Sequence, residues 1–378
     1  MIRKGNFDSV PLIIFGAALS VRIGSIFIGY TIGFNPFTDF QVHLHAETAE
    51  SLATSILEWN IPELSIRSTT IRWSLFLFPF WLLPGPSGLY AQFGIAIVGS
   101  LAIMNVYLIA TYYHSTQAGV IAVLPLALSP SYFFMHSVIQ REAMILFGLT
   151  TAFVLVFLPN KYIRSPYNYL LAAGFVLIPT YLRFPNAPVI FSIIAVTASV
   201  VILRSNWISS QRKFQAVAGI STAGLVGTIV IIRSLLTDSP IRYLVDLRER
   251  RIRGRATYLE EAIPASIAEL IGFSWLGAIH FLYAPFPWHV RQIDDLVIMF
   301  ESMIGIGFSI FAILGALVLK ERSIPATVAL VSGIVLFSVL YGFGTGNYGT
   351  GLRHRQTIFW AIYILGAIGF SSKVRLKI

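Results

Sequence analysis

The chain has no cysteine, which removes disulfides, thiolate nucleophiles and cysteine-based metal sites from consideration. Charge is scarce as well. Charged residues make up 12% of the 378 positions, against about 25% in ordinary soluble domains. That shortage excludes the two soluble domains that the length alone would allow. Acidic residues are fewer than basic ones, 17 against 27, for a net charge of +10. The excess is no nucleic-acid signal, because it lies mostly in the connections, where positive charge sets topology and meets lipid. Internal repeats and low-complexity tracts are also missing.

Apolar residues are abundant, at 56%, and several runs reach the ~20 residues that cross a ~30 Å hydrocarbon core. The predicted fold is all-α, a polytopic transmembrane bundle of about 10 spans (up to about 12), in a single integral membrane domain. Spanning candidates are 10–30, 89–111, 118–136, 142–158, 168–182, 186–203, 214–236, 297–319, 324–343 and 356–371. The first resembles a signal peptide in part, but it is long and lacks a small-residue cleavage site before Asn35-Pro36, so it reads as a span. Two further apolar stretches are ambiguous. Residues 71–84 are short and end in Pro84-Gly85-Pro86, and 268–288 are interrupted by His280, Pro285 and Pro287.

Charge placement orients the chain. Arg3 and Lys4, Lys161 and Arg164, Arg204 to Lys213, Lys320 and Arg322, and Lys373 to Lys377 all fall inside if the two ambiguous stretches do not span. Both termini are then cytoplasmic. Outer loops cover 31–88, with interfacial helices, and 237–290. One placement conflicts: the arginine run Arg248 to Arg255 would lie outside, where such runs are disfavoured. It reads as a phosphate grip or a lipid-binding surface. With this orientation the remaining polar residues collect on the outer face.

Four groups there bear on function. Asp39, His43, His45 and Glu47 follow the first span, and Asp39 is placed to act as a general base, against a plain solvated acid. The His43-x-His45-x-Glu47 spacing ligates a metal only on an extended backbone, and the run to Trp59 reads as helical. Ser129-Pro130 and then Gln140-Arg141-Glu142 open the fourth span; Glu142 suits a helix N-terminus and Arg141 suits a phosphate. Arg183 sits in the turn Tyr181-Leu-Arg-Phe-Pro185. The segment Gly344 to Arg355 joins four glycines, Asn347 and the triplet Arg353-His354-Arg355, more glycine and charge than a plain turn needs. Arg22, inside the first span, needs a partner in the bundle, and Glu301 is a candidate. His280 reads as a satisfied interfacial histidine, and the aromatic residues near span ends as belts.

Taken in order, the early outer Asp39 with Ala46 to Ala53, then Ser129-Pro130, Arg141-Glu142 and the late Arg353-His354-Arg355 segment resemble the GT-C class of membrane glycosyltransferases. The likeness covers most of the chain in layout, with short motifs. It implies a transferase of the prokaryotic plasma membrane that uses a polyprenyl-phosphate-linked sugar as donor and a glycan or lipid-linked acceptor. Asp39 would be the base, with His43 or His354 as alternatives. Arg141, Glu142, Arg183, Asn347, Arg353 and Arg355 would bind substrate. The expected partners are those substrates and membrane lipids, and no nucleic acid. No cofactor is expected, and a divalent metal is left open. The chain departs from the class where Phe40 follows Asp39 in place of a second acid, and in having no sizeable soluble C-terminal domain. The glycine-rich segment also resembles that of oligosaccharide-repeat polymerases. A reading from another class is a transporter or flippase for lipid-linked glycans.

Overall fold

The computed structural model describes residues 9–37, 40–60, 68–158, 167–206, 209–213, 215–219, 248–249, 252, 254–262 and 266–374. Among these the chain is helical, with no strand and one isolated antiparallel bridge, Thr257 to Asn347. In chain order the helices are α1 (Val10–Ile32), α2 (Phe40–Leu57), α3 (Thr69–Leu77), α4 (Ser87–Tyr113), α5 (Thr116–Leu128), α6 (Pro130–Met135), α7 (Glu142–Phe157) and α8 (Tyr167–Leu182). They continue with α9 (Asn186–Arg204), α10 (Ile267–Tyr283), α11 (Ile293–Arg322), α12 (Ile324–Gly344) and α13 (Tyr348–Lys373). The chain divides into two compact units. Unit 1 takes residues 1–112 and 119–184, and unit 2 takes 113–118 and 185–378.

Among the described residues, five helices are long and apolar enough to cross a membrane: α1, α4, α9, α11 and α12. This is fewer than the ten expected, for identifiable reasons. The segment 118–136 is not one helix, because Ser129 is extended and Pro130 starts a new helix, as proline favours. The helices α7 and α8 have 16 residues each, about 24 Å at ~1.5 Å per residue, short of the ~30 Å core. Most of 214–236 lies outside the described residues. The last segment is longer than expected: it starts at Tyr348, so its helix includes Arg353, His354 and Arg355. Of the ambiguous stretches, 71–84 is α3 followed by a tight 3-10 turn, Phe78–Leu82. A nine-residue helix is too short to cross.

In unit 1, α1 turns much of its apolar surface outward. Leu12 is 64% exposed and Ile32 75%, which suits a helix that meets lipid. Its inner face holds Arg22, fully buried. Arg22 donates to the carbonyls of Ala18 (3.0 Å) and Leu126 (3.2 Å) and contacts His136 Nδ1 at 3.3 Å. Gly99 makes room, since a Cβ there would stand 2.8 Å from His136 Nδ1. The carboxylate partner expected for Arg22 is thus replaced by carbonyls and an imidazole.

In unit 2, α13 is the central element. It is buried almost all round from Tyr348 to Ser371, as a core helix should be. Gly315 of α11 sits against the Leu365 carbonyl, and Gly366 and Gly369 of α13 against those of Phe308 and Phe311. Side chains at these glycines would push the two backbones apart, so the seam depends on small residues.

Candidate functional site

The sequence-predicted residues fall into two groups, one in each unit. In unit 1, Arg141 precedes α7 and Glu142 is its first residue. A carboxylate there complements the helix dipole. Glu142 pairs with Arg183 at 2.7 Å, and both side chains are at most 6% exposed. Arg141 Nη1 reaches the Leu182 carbonyl at 3.5 Å. A further arginine joins them. Arg72 Nη1 donates to the Tyr181 carbonyl at 2.7 Å, and its guanidinium lies 5.8 Å from the Tyr181 ring centroid. Residues 181, 182 and 183 are therefore each held by a charged group. The final carbonyls of a helix lack internal donors, so Arg72 and Arg141 close the end of α8. Sequence reading missed Arg72, although a lone charge in the apolar run Ile71-Arg72-Trp73 was a signal.

Asp39 lies outside the described residues. His43 is exposed on α2, as is Glu47 one turn later, whereas His45 is buried on the other side. The helix thus separates His45 from His43 and Glu47. Among the described residues no group of three or more His, Asp or Glu side chains is arranged to hold a metal.

In unit 2, the glycine-rich segment is pinned in place. Tyr258 N–H donates to the Gly346 carbonyl at 3.0 Å, and Tyr348 N–H to that of Ala256 at 2.8 Å. Gly346 lies against Ile252, where a Cβ would approach to 2.5 Å. Asn347 caps α13, its side chain accepting from Gly349 N–H (2.8 Å) and Thr350 N–H (3.2 Å). Its side-chain oxygen therefore builds the helix start.

The triplet after this cap does not point one way, because consecutive helical residues diverge by about 100°. Arg353 is half-buried. His354 is buried and stacks on Tyr341, with centroids 4.5 Å apart. Arg355 is buried and its Nη1 donates to the carbonyls of Leu282 (3.1 Å) and Ala284 (3.1 Å) and to Ser302 Oγ (3.0 Å).

The arginine run is only partly described; Arg250, Arg251 and Arg253 lie outside the described residues. Arg248 is 1% exposed. It donates to the carbonyls of Leu259 (2.7 Å), Ala262 (3.0 Å) and Thr345 (3.2 Å), and its guanidinium faces Phe273 at 4.6 Å. Burial favours its neutral form. Arg255 instead meets Asp295 at 2.5 Å, which holds its proton more tightly than usual. Asp295 also accepts from Tyr348 Oη (2.8 Å) and the N–H groups of Arg291 and Gln292 (3.0 Å each). His280 Nδ1 bonds the Leu276 carbonyl at 3.0 Å, and its ring lies 5.4 Å from that of Tyr258. His289 is held below the usual histidine range by burial, then by His280 and Arg291.

No protein-family model matches the chain, and no curated protein matches it by sequence.

Proposed function

We propose that this chain is a membrane glycosyltransferase that moves a sugar from a polyprenyl-phosphate-linked donor to an acceptor at the outer leaflet. The proposed topology has about ten spans, counting the 214–236 stretch and also α7 and α8. These two cross despite their length where the bilayer thins and flanking residues snorkel. Both termini are cytoplasmic, in the plasma membrane of a prokaryotic cell. The acceptor hydroxyl attacks the anomeric carbon, and the bond from that carbon to the phosphate oxygen breaks. The phosphate leaves with the electron pair, the configuration inverts, and Asp39 takes the hydroxyl proton, with His43 or His354 as the alternative base. Arg353 holds the departing phosphate, with Arg355 and Asn347 in support from the same helix start. Charge stabilisation of the leaving group is then the main catalytic term.

The observation that supports this reading is the burial of guanidinium charge beside the pinned glycine segment of unit 2. A buried cation is costly unless it is matched. Arg248 is matched there by carbonyls and a ring, and by no carboxylate among the described residues. Purified protein in lipid, supplied with a radiolabelled polyprenyl-phosphate sugar pool and acceptor, tests the base. Asp39→Ala should abolish transfer in a folded sample, and full activity would remove Asp39 from that role.

A second reading, a transporter for lipid-linked glycans, draws on the break between α5 and α6 at Ser129-Pro130. Discontinuous helices line the substrate paths of many transporters. Translocation of a lipid-linked glycan without any sugar transfer would favour it.

A further inference from the structure

Four helix ends of unit 2 meet in a rim of cations. Tyr341, late in α12, donates to Asn186 at the start of α9, and Ile193 packs on Gly333. The two helices thus run antiparallel, which brings Arg204, the last residue of α9, level with the start of α12. Ser323 alone joins that start to Arg322, the last residue of α11. The helices α11 and α13 run parallel, because Phe308 packs on Tyr363 and Phe311 on Phe370. Lys373 therefore ends α13 near the end of α11. The segment 113–118 ties these ends together: Arg322 donates to the Tyr113 carbonyl, and Gln117 Nε2 to that of Val374 at 2.8 Å.

The charge there is one-sided. Arg204, Lys320, Arg322 and Lys373 are all exposed. Among the described residues, α9, α12, α13 and 113–118 contain no acid, and the second half of α11 adds Glu321 alone. His114 feels the excess: burial, then Arg322, hold its imidazole below the usual histidine range. A rim of this kind attracts anions. Lys320 also continues an apolar stripe. Ile310, Ile313 and Leu317 are exposed and precede it at the spacing of a single helix face. A stripe that meets lipid tails and ends in a snorkelling amine fits a lipid whose headgroup is negative.

We infer that the rim of Arg204, Lys320, Arg322 and Lys373, with the α11 stripe beneath it, binds acidic phospholipid in preference to zwitterionic lipid. The partner is the intact lipid, since the cations and the stripe adjoin on one helix. The inference is independent of the transferase reading, because about 30 Å of α13 separates Lys373 from Arg353.

The test gives full-length protein in detergent equal amounts of dioleoyl phosphatidylglycerol and dioleoyl phosphatidylcholine, and counts the retained lipid by native mass spectrometry. The wild type should retain phosphatidylglycerol preferentially. Lys320→Gln and Lys373→Gln should each cut that preference about fivefold, the equivalent of about 1 kcal/mol per cation. Both side chains are exposed, so the unfolding midpoint should stay at the wild-type value. Arg291→Gln, an exposed cation before the other end of α11, should keep the wild-type preference. Equal retention of the two lipids by the wild type overturns the inference. So does a preference that both lysine variants keep, or that Arg291→Gln lowers as much as they do. Glycerol 3-phosphate carries the charge without the chains and should leave the bound lipid in place. Its displacement of the lipid at matched concentration would make the partner a soluble anion and overturn the lipid assignment.

Discussion

The two arginine groups are built from the same residue type and differ in what balances the charge. In unit 1, Arg183 has Glu142 at 2.7 Å, and Arg72 and Arg141 reach the last carbonyls of α8. Each of these contacts serves helix ends. In unit 2, the buried Arg248 reaches carbonyls and a ring and, among the described residues, no carboxylate. Two hydroxyls unsatisfied among those residues, Tyr258 Oη and Thr345 Oγ1, stand next to its partners. In unit 1 a carboxylate balances a buried charge, whereas in unit 2 uncharged carbonyls and a ring surround one, which leaves its net charge in place. The difference between the two groups is one of charge balance.

The largest effect expected of this contrast is in unit 1. Glu142→Ala leaves Arg183 buried without its carboxylate and should cost about 3–5 kcal/mol of stability, read as a lower denaturation midpoint in detergent. A loss well under about 1 kcal/mol would mean that the pair is as weak as an exposed one and would blur the comparison. Next comes Asp295→Asn, which removes the charge that Arg255 meets and weakens the bond from Tyr348. It should cost about 1–3 kcal/mol. It should also loosen the 254–258 segment, seen as faster amide exchange at Tyr258 and Tyr348. Smallest is Tyr258→Phe, which deletes an unsatisfied buried hydroxyl and should leave stability unchanged or raise it by up to about 1 kcal/mol. Marked destabilisation would show that the hydroxyl has a structural partner and would place Tyr258 with the unit 1 arginines.

Much of the helical layout was legible in apolar run lengths. Segment 10–30 became Val10–Ile32, and 186–203 became Asn186–Arg204. Arg141-Glu142 was readable as a helix start because an acid there has a local reason. Long-range partners were not legible. Hydropathy averaged over a window hides Arg72 among its apolar neighbours, and it cut the last helix back to 356 because Arg353 to Arg355 lower the average. Asn347 was the better marker, since a side-chain oxygen at that position caps the helix. The arginine run reads by its charge as a phosphate grip or a lipid-binding surface, yet Arg248 is buried, because carbonyls of Leu259, Ala262 and Thr345 converge on it. Tyr258 and Thr345 carried no signal in the sequence, since an unsatisfied hydroxyl exists only once its surroundings are known.

The central claim is that the late arginines act on a phosphate during sugar transfer. The direct measurement is label transfer from a polyprenyl-phosphate sugar by purified protein in lipid, wild type beside Arg353→Ala. The account expects transfer by the wild type and a loss of about 100-fold or more in a folded Arg353→Ala sample. Tight binding of the donor with no transfer by the wild type would contradict it.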